Sequence, residues 1–303
     1  MSIQIEINSE GEAQNSQIVG YLLERGYKII KQIGKGYYGV VYKALHIKDN
    51  TIVAIKGMVF NSQNERQKLM NEFQCLKSID HPNVIKVLEY IAYPDNSCGF
   101  YSMEFCQSDL AEVLEKHRKQ KTWLNQEDIY FIANQILQGL KAIHQKNIIH
   151  FNISCENVLL GQDGQYKIGD FGECKRLNQG ENSSKTHGEC SRKYGSPEQL
   201  HKLLQVKDIQ HYTQSSDIYS LGIVYYYLTN RTLDYEHVPI FKKVEFHSFL
   251  NPEYSQFNTL ISQMIQFRQE DRVKLHSVEN TLSYLIQNNN QNSLKQIYQN
   301  VSS

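Results

Sequence analysis

Apolar residues change their period once along this chain. Up to Phe105 they alternate or run in short blocks, and beyond Ser108 they follow a helical repeat. The stretches Tyr27–Ile33, Gly39–Leu45 and Thr51–Val59 read as three strands, punctuated by glycine and by Asp49-Asn50. Glu65 to Ser78 reads as a helix with Leu69, Phe73 and Leu76 on one face. Two further strands, around Val84–Tyr93 and Gly99–Phe105, flank the turn Pro94-Asp95-Asn96. The pattern predicts a small sheet with one helix.

Beyond Ser108, the residues Ile129, Ile132, Ala133, Ile136, Leu137, Leu140 and Ile143 form one apolar helical stripe. A short hairpin is expected next, Val158–Leu160 and Tyr166–Ile168 about the turn Gly161-Gln162-Asp163-Gly164. Ser216–Thr229 and Phe257–Phe267 read as helices. Residues 1–26 are polar without a sustained period and are expected to be a flexible leader, although Ile3, Ile5 and Ile7 alternate and suit a short edge strand. Residues 287–303, with Asn288-Asn289-Asn290-Gln291-Asn292, are expected to be a solvated or disordered tail. One domain over residues 27–286 remains, with no internal repeat.

The 303 residues are 40% hydrophobic and 21% charged with formal net charge +0, a globular composition large enough for a core. Balanced charge gives no general attraction to nucleic acid or to an anionic membrane, so neither is expected as a partner. No apolar run approaches a membrane span, and the N-terminus has no basic start or apolar core of a secretory signal. The expected location is therefore intracellular, in the cytoplasm. The six cysteines form no C-x-x-C, which favours free thiols over a zinc site.

Candidate chemistry lies in short motifs. Gly34, Gly36 and Gly39 suit a loop whose backbone approaches phosphate, or an ordinary hairpin turn. Lys56 is the one charge in the apolar strand Val53-Ala54-Ile55-Lys56, so a buried partner is required; Glu72 and Glu65 on the following helix are the candidates. Further along stand His150-Phe151-Asn152-Ile153-Ser154-Cys155-Glu156-Asn157, Asp170-Phe171-Gly172, Ser196-Pro197-Glu198 and Asp217-Ile218-Tyr219-Ser220-Leu221-Gly222. In order and spacing these motifs resemble a protein kinase domain of the Ser/Thr type, whose catalytic loop is written H-R-D-L-K-P-E-N.

The resemblance implies an α+β, two-lobed protein-kinase fold, with a small β-rich N-lobe carrying one helix and a larger α-helical C-lobe. It implies ATP and Mg2+ as cofactors. Ile33, Gly34, Gly36, Gly39, Val41, Ala54 and Leu159 would surround the nucleotide, and Lys56 would pair with Glu72. Met103, Glu104 and Cys106 would form the hinge, with the backbone of Glu104 and Cys106 on the adenine edge. Asn157 and Asp170 would bind the metal. His150 and Phe171 would be packing residues, with Leu76 and Val87 as neighbours, and Glu198 with Arg272 would be a buried ion pair.

Three positions depart from the family. Asn152 stands at the place of the catalytic base, Ser154 at that of the loop Lys, and Phe151 at that of an Arg that grips phosphate on the activation segment. Asn152 carries no charge and cannot act as a base at neutral pH. Losing a general base costs about 10²–10⁴-fold, and losing the cation removes electrostatic stabilisation as well. Cys190-Ser191-Arg192-Lys193-Tyr194-Gly195 also departs from the family's substrate shelf. Three readings stay open: a nucleotide-binding pseudokinase recognised by an unidentified protein partner, a slow or unconventional Ser/Thr kinase with Glu156 as base, and an interaction module without nucleotide.

Overall fold

A computed structural model of the protein describes residues 17–36, 39–185, 190–200, 211–229 and 254–301, with side chains as far as residue 289. The strand expected at Ile3, Ile5 and Ile7, the loop residues Tyr37 and Tyr38, and Thr186 lie outside the described residues. The chain divides into two compact units, Met1–Gln107 with Leu160–Gln165, and Ser108–Leu159 with Tyr166–Ser303.

The first unit contains α1 (Gln17–Glu24), β1 (Tyr27–Gly36), β2 (Gly39–His46), β3 (Thr51–Val59), α2 (Gln63–Lys77), β4 (Val87–Ala92) and β5 (Cys98–Glu104). The strands form an antiparallel sheet in the order β1-β2-β3-β5-β4. Alternation sorts its residues. Tyr42, Ala44, Val53, Ile55 and Phe100 enter the core, whereas Val41, Ala54, Lys56, Tyr101 and Met103 belong to the opposite face by register. At Gly39, φ is 131° and a Cβ would run into the carbonyl oxygen of Gly57, so the start of β2 requires glycine.

The expected flexible leader needs correction where it is described. Its residues 17–24 form α1, whose Leu22 is fully buried in the sheet core, with Ile18, Val19 and Tyr21 packed against it. The Tyr21 hydroxyl donates to the Ala92 carbonyl at 2.6 Å. The sheet therefore carries two helices. Helix α1 is too short to hold itself in water and gains its stability from this docking.

The second unit is mostly helical: α3 (Leu110–Gln120), α4 (Gln126–Gln145), α5 (Ser215–Thr229), α6 (Ser255–Met264) and α7 (Leu275–Val301). The short strands are β6 (Cys106–Asp109), in which the chain passes between the units, β7 (Ile148–Ile149), β8 (Val158–Gly161), β9 (Tyr166–Ile168) and β10 (Lys175–Arg176). The stripe from Ile129 to Ile143 is the buried face of α4. Helix α5 is buried on every side, from Ser216 to Thr229. The polar tail also needs correction, since α7 continues through the Asn-rich stretch to Val301. Its Val278, Leu282 and Leu285 are buried, and Lys141 Nζ on α4 reaches Glu279 Oε1 at 2.7 Å.

Candidate functional site

In the first unit, sheet register assembles the expected nucleotide residues. Gly34 lies opposite Val41, Val41 opposite Lys56, and Lys56 opposite Tyr101. Ala54 lies opposite Met103 in the next row. Ile33 sits at a register shift in β1 and is exposed. Lys56 Nζ meets Glu72 Oε1 at 2.6 Å, both groups being buried, and the Tyr101 hydroxyl donates to the same oxygen at 2.9 Å. Glu65, the other candidate partner, is engaged elsewhere. Its carboxylate accepts from the backbone N–H of Ser62 while the Ser62 hydroxyl accepts from Glu65 N–H, the capping box that starts α2. At the expected hinge, Glu104 N–H donates to the Lys86 carbonyl at 3.0 Å, so Glu104 can offer an adenine only its carbonyl. Cys106 is half-buried.

The second unit holds the loop from His150 to Asn157, and α5 anchors it. Asp217, fully buried in the first turn of α5, accepts from the backbone N–H groups of His150 and Phe151 at 2.8 Å each and lies 2.8 Å from His144 Nε2. The sequence motif contained Asp217 but its role was missed. The signal was the one already applied to Lys56, a single charge in an apolar run.

Packing then fixes the loop residues. The His150 ring meets Phe171 edge to face at 4.7 Å. Its Nε2 lies 3.0 Å from the Gly169 carbonyl and its Nδ1 accepts from Asn152 N–H at 3.2 Å, so the ring is neutral with its proton on Nε2. Burial pushes the His150 pKa down, against the opposing charges of Asp217 and Asp170. Phe151 adopts φ 64° and is buried with Ile149, Leu177 and Tyr212. Tyr212 in turn bridges through its backbone to Ser184 in the activation segment.

The expected catalytic and metal residues come together. Asn152 Nδ2 donates to Asp170 Oδ2 at 3.4 Å, and Asn157 Nδ2 donates to the Asn152 carbonyl at 2.8 Å. Gly169 N–H donates to the Asn157 carbonyl at 2.8 Å, and a Cβ on Gly169 would stand 2.8 Å from Leu159 Cδ1. Ser154 is buried, and its hydroxyl accepts from Asn157 N–H at 3.2 Å. It therefore braces Asn157 from the position where the family places a cation. Glu198 and Arg272 form the expected buried pair, bonded through both carboxylate oxygens at 2.6 Å. Burial works to raise the Glu198 pKa, but the Arg272 hydrogen bonds and charge hold it below the usual carboxylate range.

The donor set fits magnesium. Asp170 supplies a carboxylate, and Asn157, with its nitrogen turned to a carbonyl, has its amide oxygen for a cation. Magnesium suits such oxygen donors, taking one or two from protein and the rest from phosphate and water. No cluster of three or more His, Cys, Asp or Glu suited to a metal occurs among the described residues.

The protein kinase domain family matches residues 27–284 of the chain. The chain belongs to the protein kinase family. It is a kinase fold, with a β-sheet N-lobe and a helical C-lobe, and the family uses ATP with magnesium. Among similar proteins, a probable serine/threonine-protein kinase nek2 of Dictyostelium discoideum is 29% identical over 248 residues, which are 79% of this chain and 57% of that protein. The serine/threonine-protein kinase Nek2 of Homo sapiens is 30% identical over 210 residues, 67% of this chain and 45% of that protein. An interferon-induced, double-stranded RNA-activated protein kinase of Mus musculus is 26% identical over 295 residues, 92% of this chain and 55% of that protein. The chain thus spans about half the length of these relatives. No described helix of this kinase domain is long and apolar enough to cross a membrane.

Proposed function

We propose that this kinase domain binds ATP with magnesium, has strongly reduced phosphotransfer, and acts as a nucleotide-gated scaffold or allosteric regulator of a protein partner. Among the residues of the first unit, Lys56, paired with Glu72, would bind phosphate, and Val41, Ala54 and Met103 would contact the base, with the Glu104 carbonyl and Cys106 backbone for its edge. Among those of the second, Asn157 and Asp170 would hold the metal, which would supply neutralisation of phosphate charge, and Leu159 would be a further apolar contact.

One observation carries the reading. Both transfer positions are filled by neutral groups already committed to neighbours, Asn152 to Asp170 and Ser154 to the Asn157 N–H. No carboxylate stands at the base position to take a proton from a substrate hydroxyl, and no ammonium at the loop Lys position meets the transferred phosphoryl. From an ordinary kinase rate on the order of 1–100 s⁻¹, loss of the base alone costs about 10²–10⁴-fold.

An ATP titration with magnesium, run beside a sensitive autophosphorylation assay on the same sample, tests this. Binding without appreciable transfer, lost in Lys56→Ala, is the expected result. Binding with transfer at an ordinary rate would replace the reading with that of an active Ser/Thr kinase, and no binding would leave an interaction module.

A further inference from the structure

Asn152 touches the metal-binding carboxylate itself, which bears on how nucleotide binds and not only on transfer. A carboxylate can only accept, so the hydrogen bond to Asp170 Oδ2 requires Asn152 to present its N–H. Asp170 is exposed and sits at φ 53°, in the left-handed region that aspartate enters more readily than most non-glycine residues. The surroundings here are specific. Gly169, just before it, is bonded on one side to the Asn157 carbonyl and on the other to His150. The Asp170 side chain then receives Asn152. A carboxylate in place of Asn152 would face Asp170 as a like charge within 4 Å, a pair that needs a proton or a cation to neutralise it.

We propose that Asn152 is a positioning residue that substitutes for the cation. Its amide holds Asp170 in place without metal, and its neutrality leaves the site less repulsive to free ATP, so nucleotide binding depends only weakly on divalent cations. The proposal rests on the reading that the chain binds ATP. Ser154 also removes a charge from this loop, a positive one, so total ATP affinity does not isolate the effect. The ratio of affinities with and without metal, compared between variants at position 152 alone, does.

The experiment measures ATP binding by the full chain in magnesium and in EDTA, for wild type, Asn152→Asp and Asn152→Ala, with melting temperatures in the absence of nucleotide as a folding control. For wild type, the two dissociation constants should lie within about tenfold of each other. Asn152→Asp should widen that ratio by about tenfold or more, the scale expected of a like charge at this distance. Asn152→Ala, which removes the donor without adding charge, should weaken binding in EDTA while leaving binding in magnesium nearly intact. A residue of purely structural importance would move both conditions together. Binding by the wild type only in magnesium, or a ratio unchanged in Asn152→Asp, overturns the proposal and leaves the nucleotide-binding reading standing. Absence of binding in both conditions overturns both. If Asn152→Asp does not fold, Asn152→Ala decides, and an unchanged EDTA affinity there overturns the proposal.

Discussion

The Lys56–Glu72 pair and the loop around Asn152 treat charge in opposite ways. In the first unit a buried cation is kept and matched by a buried carboxylate and a tyrosine hydroxyl. In the second, three positions where the family carries charge hold Phe151, Asn152 and Ser154, and each neutral side chain is locally satisfied. The first arrangement cannot be dismantled by one mutation without cost, since removing one partner of a buried pair strands the other at about 3–5 kcal/mol. The second can lose its charges singly, because each position has a neutral replacement with its own partner. Charges that are buried against each other are therefore harder to lose than charges that are not paired in this way.

The largest expected effect breaks this contrast by restoring charge to the loop. Asn152→Asp together with Ser154→Lys should raise autophosphorylation by up to about 10²–10⁴-fold, and by more than either change alone, since both act on one transferring phosphoryl. Asn152→Asp should give the larger single gain. Ser154 is buried and caps the Asn157 N–H, so its replacement gives up a brace while adding a cation. Affinity for ATP in magnesium should change far less than transfer. A wild type already turning over at an ordinary kinase rate, with no gain in the double variant, would show that the neutral loop is not the lesion.

Phe151 sharpens the contrast from the apolar side. Its ring, with Ile149, Leu177 and Tyr212, occupies the place of a phosphate-gripping Arg, and Tyr212 ties on to Ser184 by two backbone hydrogen bonds of 2.8 Å. Phe151→Ala should destabilise the protein by about 3–5 kcal/mol, the usual cost of truncating a buried phenylalanine, measured by denaturant unfolding. Limited proteolysis should find the segment near Ser184 cut faster. Phosphorylation at Ser183 or Ser191 should add no protection that depends on Phe151. New protection on phosphorylation that vanished in Phe151→Ala would contradict an apolar anchor.

What was legible in the sequence follows the same division. Strand and helix periods exposed the sheet and α4, and the lone charge in β3 pointed to a buried partner. Choosing Glu72 over Glu65 required the resemblance to the family, and the structure supplies the reason, since Glu65 is occupied by the capping box. Composition misled at both ends. Helix α1 is apolar at five of its eight positions, a short run hidden behind the polar residues that precede it, and is held by docking of Leu22, while α7 runs through an Asn-rich stretch whose composition suggested a tail. The partners of Asp217 and Asn152 were not legible, because hydrogen bonds between residues far apart in the chain depend on tertiary placement that no local period encodes, whereas the Ser154 bond to the Asn157 N–H is a local i, i+3 contact of a kind that serine makes in turns.

A smaller effect should appear in the pH dependence of the second unit's own buried pair. Glu198 has a folded-state pKa below its ordinary value because Arg272 outweighs burial. Such a group contributes stability that is fully present above the unfolded carboxylate value of about 4.3 and is lost as pH falls through the lower folded-state value. Unfolding free energy should therefore drop on acidification below that range, and Glu198→Gln, although less stable near neutrality, should show a shallower decline. Parallel profiles for the two proteins would mean that other carboxylates govern acid unfolding.

The smallest expected effect asks how far the Lys56–Glu72 pair depends on the helix that carries it. Ser62 and Glu65 close the first turn of α2 by reciprocal side-chain to backbone bonds. Glu72 lies further along the same helix, buried beside Leu69 and Leu76. Ser62→Ala should cost about 1 kcal/mol, the usual value of an N-cap. Glu65→Ala should cost a similar amount, and the double variant less than the sum, because the two side chains serve one motif. ATP affinity should hardly move in any of them, since burial and the Tyr101 hydroxyl fix Glu72 independently of the helix start. Loss of ATP binding in Ser62→Ala with the fold intact would show that the pair is positioned by the end of the helix and not by its own buried contacts. The first unit's charges would then be as separately removable as those of the loop, and the contrast between the two regions would fail.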